Sequence, residues 1–152
     1  MLERVVRLNA DYARAIDDDR LEDWPGFFTE KCLYKVTSAE NHSRGLEVGV
    51  IYADTNGMLR DRVASLRKAN IYERQTYRHL IGLTAIVATE GEVTRAETPF
   101  LVVRIMRDGT MDIFATGRYL DALVDDGGTL RLRERVVVCD SSRFDTLLAI
   151  PL

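Results

Sequence analysis

From His79 to Cys139 the chain is dominated by residues that favour extended backbone. Turn signals divide it into four stretches: Leu80 to Thr89, Val93 to Arg107, Met111 to Leu123 and Leu130 to Cys139. Asp108-Gly109 separates the second from the third, a pair suited to the positive φ of a tight hairpin, and Asp126-Gly127-Gly128 marks the next reversal. Strands joined this closely pair antiparallel. In the last stretch, alternation places Leu130, Leu132, Val136 and Val138 on one face and Arg131, Arg133 and Arg135 on the other, with Glu134 interrupting the apolar row. Pro99 has no amide proton for a ladder, so it predicts a bulge or an edge position, and bulges bend a sheet strongly.

The first half follows a different period. Leu2, Val5, Val6, Tyr12, Ala13 and Ile16 recur at three- and four-residue steps and describe one stripe on a helix that ends near Asp17-Asp18-Asp19. A short helical piece from Leu21 to Phe28 carries Trp24, Phe27 and Phe28 as a large apolar surface that caps a core, and Leu33 to Ser38 reads as a strand. Asn41 to Asn56 shows no clear period beyond Val48 to Tyr52 and reads as loop. Met58, Leu59, Val63 and Leu66 mark a further helix with Asp54, Thr55 or Asn56 as its N-cap. Helices first and a curved antiparallel sheet second define an α+β fold, one domain over residues 1–152, with the sheet wrapped as a cone around the N-terminal helices.

Composition narrows the class further. With 46% hydrophobic and 30% charged residues, the chain is neither polar enough for disorder nor apolar enough for a membrane. Its 21 basic residues are scattered among 24 acidic ones, net charge −3, so neither nucleic acid nor an anionic membrane is an expected partner. The first twenty residues are charged every few positions, and the expected location is the cytoplasm. Cys32 and Cys139 are accordingly expected as reduced, buried thiols.

The chemistry-bearing residues are few. A Rieske cluster and a mononuclear non-heme iron each require converging histidines, but the histidines here, His42 and His79, lie far apart in sequence. His42 reads as a loop or interface residue and His79 as a hydrogen-bonded core residue. The glycine pairs Gly45/Gly49 and Gly127/Gly128 lack the strand and helix of a phosphate loop, and Ser141-Ser142 reads as a turn. General acid/base chemistry would need Tyr12, Asp17, Tyr34 and His79 to meet in a cavity. Otherwise, Asp17 is a solvated helix end and the tyrosines are core. The charged stretch from Arg60 to Arg78, interleaved with tyrosines, is either an exposed amphipathic segment or a subunit interface. The run Asp145 to Leu152 is too apolar for a free tail and should be buried.

Three stretches together, YARAIDDDRLEDWPGFFTEKCLYKVTSAENH (Tyr12 to His42), MLRDRVASLRKANIYERQTYRH (Met58 to His79) and RLRERVVVCDSSRFDTLLAIPL (Arg131 to Leu152), resemble in order the small (β) subunit of aromatic-ring-hydroxylating dioxygenases. The likeness is strongest to those acting on aromatic carboxylates such as terephthalate, anthranilate or benzoate. It implies the nuclear-transport-factor-2-like (NTF2-like) fold. It also implies a large (α) subunit as partner, a hexamer of three large and three small subunits, and self-association of the small subunit as a trimer. The Rieske 2Fe-2S cluster and the mononuclear non-heme iron would then sit in the large subunit, leaving this chain with no cofactor, no metal and no catalytic residue. Lone enzymes of the wider superfamily, lyases and isomerases similar to scytalone dehydratase, supply the alternative, in which Asp17 and His79 would act in a pocket.

Overall fold

The computed structural model describes residues 1–46, 49–69, 75–142 and 150–152. Helix α1 spans Leu2–Asp17, a 3₁₀ turn follows at Leu21–Phe27, and strand β1 runs Phe28–Ser38. A short helix α2, Ala39–Ser43, precedes β2, Ile51–Thr55, and helix α3, Asn56–Ala69. Five further strands among the described residues bring the sheet's strands to seven: β3 Gln75–Ile81, β4 Ala85–Glu90, β5 Val93–Met106, β6 Met111–Asp126 and β7 Thr129–Cys139. They join one sheet in the order β2-β1-β7-β6-β5-β3, with β4 also on β5. Every described pairing is antiparallel except β1 with β7. The expected α+β architecture is present, a strongly curved and mainly antiparallel sheet with α1 in its concavity.

Register explains the curvature. Irregularities fall in β5–β6 between Val102 and Val103 and in β6–β7 between Ala122 and Leu123, where an extra residue on one strand bends the pair. The second of these reverses the expected facing of β7. Leu123 pairs with Leu132 but Ala122 pairs with Glu134, so Arg133 is the extra residue and alternation changes phase there. Leu132, Arg135 and Val137 therefore all face the core at 0% exposure, whereas simple alternation places Arg135 opposite Leu132.

The Leu80 to Thr89 stretch is two strands rather than one. β3 pairs with the Phe100 to Met106 part of β5 and β4 with the Val93 to Glu97 part, so both lie along the same side of β5. Pro99 sits at the break between them, in register with Arg118 of β6 on its other side. A residue without an amide proton is tolerated inside a sheet where the neighbouring strand is interrupted. Gly82 crosses that break and donates its amide to the Pro99 carbonyl at 2.8 Å, and a Cβ there would lie 2.7 Å from the Pro99 ring.

The remaining differences are local. The stretch read as loop contains α2 and β2, and His42 is exposed on α2. Of the three candidate caps for α3, Thr55 serves, its hydroxyl accepting from the Met58 amide at 3.2 Å. On α1, Leu2 and Val6 are each 49% exposed, while Val5, Leu8, Tyr12 and Ile16 are buried. Residues 70–74 of the charged tyrosine-bearing stretch and 145–149 of the last apolar run lie outside the described residues. Among the described residues, no helix is long and apolar enough to cross a membrane.

Candidate functional site

Two of the buried polar groups among the described residues bring together the candidate chemistry-bearing side chains. The first is at the end of α1. Asp17, its last residue, turns into the fold and is 4% exposed at the side chain. Its Oδ2 accepts the backbone amide of His79 at 2.8 Å, and its Oδ1 lies 2.6 Å from His79 Nδ1. Asp17 thus satisfies a β3 amide and fixes the imidazole beside it. The expected solvated helix end is corrected here: the run of three aspartates divides, with Asp18 and Asp19 outside and Asp17 inside. His79 is the hydrogen-bonded core histidine the sequence favours, and its Nε2 is buried with no partner among the described residues.

The second place is an aromatic and charged cluster. Arg135 reaches from β7 to Asp121 on β6 through two hydrogen bonds of 2.8 Å, and to Asn9 Oδ1 on α1 at 2.5 Å. Its guanidinium lies 4.3 Å from the centre of the Tyr12 ring and 3.9 Å from that of Tyr119. Such stacking suits a planar, weakly hydrated cation. Burial alone would lower the guanidinium's proton affinity, but the Asp121 carboxylate holds it above the ordinary value. Burial raises the Tyr12, Tyr34 and Tyr119 phenols, so all three are neutral donors at physiological pH.

Those donors are largely engaged within the chain. The Tyr12 and Tyr34 hydroxyls donate to the backbone oxygen of Leu152 at 2.7 and 3.1 Å, and Trp24 Nε1 donates to the Tyr12 oxygen at 3.0 Å. Ile150, Pro151 and Leu152 are buried, as expected for that apolar run. Four residues named as possible acid/base groups are therefore held in two separate constellations, Asp17 with His79 and Tyr12 with Tyr34.

A cleft of about 460 Å³ opens beside the first of these, lined by Asp17, Asp19, Gln75, Thr76, Tyr77 and Arg107 among others. His79 does not line it and its side chain is 0% exposed, so its partnerless Nε2 does not open onto that cleft. Among the described residues, no group of three or more His, Cys, Asp and Glu comes together to hold a metal ion. Cys32 and Cys139 are buried and unpaired, and burial pushes their thiols up to about 11 and about 12. Arg135 is the functional-looking residue that alternation mislaid. The signal in the sequence was Val136-Val137-Val138, an uninterrupted apolar run meaning that both faces of this strand are covered.

Comparison with known proteins completes the picture. The family described as Ring hydroxylating beta subunit matches residues 11–146. The chain is 48% identical over 149 residues to the terephthalate 1,2-dioxygenase terminal oxygenase component subunit beta 1 of a Comamonas species, covering 98% of this chain and 97% of that one. It is 41% identical to the anthranilate 1,2-dioxygenase small subunit of Burkholderia cepacia, covering 97% and 92%. A crystal structure from Novosphingobium aromaticivorans, described as the β subunit of an aromatic-ring-hydroxylating dioxygenase, superposes with a TM-score of 0.92 at 42% identity, over 99% of this chain and 96% of that one. By sequence and by fold, this chain belongs to the family of β subunits of ring-hydroxylating dioxygenases.

Proposed function

We propose that this chain is the scaffold half of an oxygenase for an aromatic carboxylate, working in the cytoplasm and supplying no catalytic group of its own. The Rieske 2Fe-2S cluster and the mononuclear non-heme iron belong to a large subunit, and three large and three small subunits form the assembly on a trimeric base of small ones. The observation that carries this reading is that the side chains a pocket enzyme would need are committed inside the fold. Both Asp17 oxygens are on His79, and the Tyr12 and Tyr34 hydroxyls are on Leu152. Relatives acting on terephthalate and anthranilate support the substrate class.

Co-expression with a large subunit, followed by light scattering and iron analysis, tests it. The expected result is a complex of hexamer size whose iron follows the large chain, with no iron or turnover in this chain alone. A small chain that ignores the large one, or that turns over substrate by itself, would overturn the proposal.

A further inference from the structure

One edge of the sheet is made by β3 and β4 in turn, and among the described residues neither has a strand on the side away from β5. On the β3 half α1 covers the edge, with Asp17 accepting the His79 amide. The β4 half is barer: Leu83 is 93% exposed, Val87 53% and Ile86 37%. Native sheets blunt such edges with charges or proline, and Ile81 to Thr89 contains neither. This strand also reads almost the same in both directions, Thr84-Ala85-Ile86-Val87-Ala88-Thr89. Paired antiparallel with a copy of itself about an axis between Ile86 and Val87, it opposes Thr84 to Thr89, Ala85 to Ala88 and Ile86 to Val87.

Opposed residues of an antiparallel pair project from the same face, and regular alternation forbids that when the axis falls between two residues. The bulge in β4 removes the obstacle. Ile86 is in register with Ala96 and Ala88 with Arg95, so Val87 is an extra residue and alternation slips there. Ala85 and Ala88 consequently lie opposite Glu97 and Arg95, on one face. Thr89 lies opposite the buried Thr94, and the Thr84 hydroxyl is 2.8 Å from that of the buried Thr98, on the other face. The threonines and the alanines are thus matched in kind and in face. The first charged residue, Glu90, falls opposite Leu83, so no like charges meet.

We propose that β4 is a docking edge for a second copy of this chain, the two sheets joining strand to strand across a two-fold axis between Ile86 and Val87. A two-fold contact cannot close a three-fold ring, so this edge is a different surface from the trimeric base proposed above.

Disulfide cross-linking of the full chain tests both the contact and its register. Chains carrying Ala85→Cys and chains carrying Ala88→Cys are mixed and oxidised; the native Cys32 and Cys139 are buried. Opposed Cβ atoms lie about 4.5–5.5 Å apart, close to disulfide range, whereas two copies of the same position are offset by three residues, about 10 Å along the strand. The mixture should give linked pairs, and either variant alone at least tenfold fewer. Adding Val87→Lys to both chains sets two cations beside the axis and should cut the yield at least tenfold. Ile113→Lys, at a 69% exposed position on β6, should leave it unchanged. No product from the mixture, as much product from one variant alone, or a yield that survives Val87→Lys overturns the proposal. The cross-link is measured without a large subunit, so this proposal and the scaffold reading fail independently.

Discussion

Arg135 shows how a charge becomes part of a core. Both Arg135 and Asp121 have fully buried side chains and pair through two hydrogen bonds with Asn9 as a third partner, while Arg135 Nη1 has no partner among the described residues. Removing one member leaves the other charged and unpaired, which costs about 3–5 kcal/mol, whereas replacing both with apolar residues of similar size can be nearly neutral. Arg135→Ala should therefore lower stability to denaturant by that amount, and Arg135→Met combined with Asp121→Leu by much less. A loss below about 1 kcal/mol for the single change would show that the pair is not what holds β6, β7 and α1 together. The cysteines give a second expectation at this scale. Thiols raised to about 11 and about 12 are protonated at neutral pH, and the thiolate is the reactive form. Dithionitrobenzoate should label Cys32 and Cys139 only as fast as the chain unfolds; rapid labelling of the native protein would contradict their burial.

At the scale of elements, the junction between α1 and the 3₁₀ turn is held by α3. Asp19 adopts a left-handed φ of 59°, uncommon for a residue with a side chain, and Arg67 from α3 grips it through both carboxylate oxygens and its carbonyl. The same guanidinium makes two hydrogen bonds to Glu22 at 2.7 and 3.0 Å, which hold the Glu22 carboxyl below its ordinary value of 4.5. A depressed carboxylate stabilises the fold above its unfolded value, and that contribution disappears as pH falls through the folded value. Asp19 and Glu22 are mostly exposed, so solvent screening limits the effect, and Arg67→Ala should cost about 1 kcal/mol at pH 7. The difference between variant and native melting temperatures should narrow in acid, below the ordinary glutamate range. A gap that stays constant down to pH 3 would mean that Arg67 acts by packing alone.

For the whole molecule, His79 separates a scaffold from a pocket enzyme. His79→Ala leaves Asp17 buried without its imidazole partner and loosens the contact between α1 and β3, so the yield and melting temperature of the assembled oxygenase should fall. Turnover per assembled complex should not change, because His79 does not face the cleft and touches no substrate in the proposed arrangement. Loss of turnover in complexes of normal size and iron content would revive a catalytic role for the Asp17–His79 pair.

The sequence by itself determined the type and order of the long elements and the hairpin reversals, though not α2 and β2. These follow from local physics: the helical period of α1, the glycine-bearing turns at Asp108-Gly109 and Asp126-Gly127-Gly128, and the β-branched strands between them. It also marked Tyr12, Asp17, Tyr34 and His79 as the polar residues worth watching, and the family resemblance gave the fold by name. Only the tertiary structure decided which way they faced. One extra residue at Arg133 turned Arg135 inward, a break opposite Pro99 split one expected strand into two, and the fold chose Asp17 alone from three consecutive aspartates. Local pattern records the period of a strand but not a slip in its register against a neighbour, and the partners that meet a buried charge come from other elements, in the case of Asn9 and Arg135 from 126 positions away. That is why Leu152 meeting Tyr12, and Asn9 meeting Arg135, could be seen only once the chain had folded.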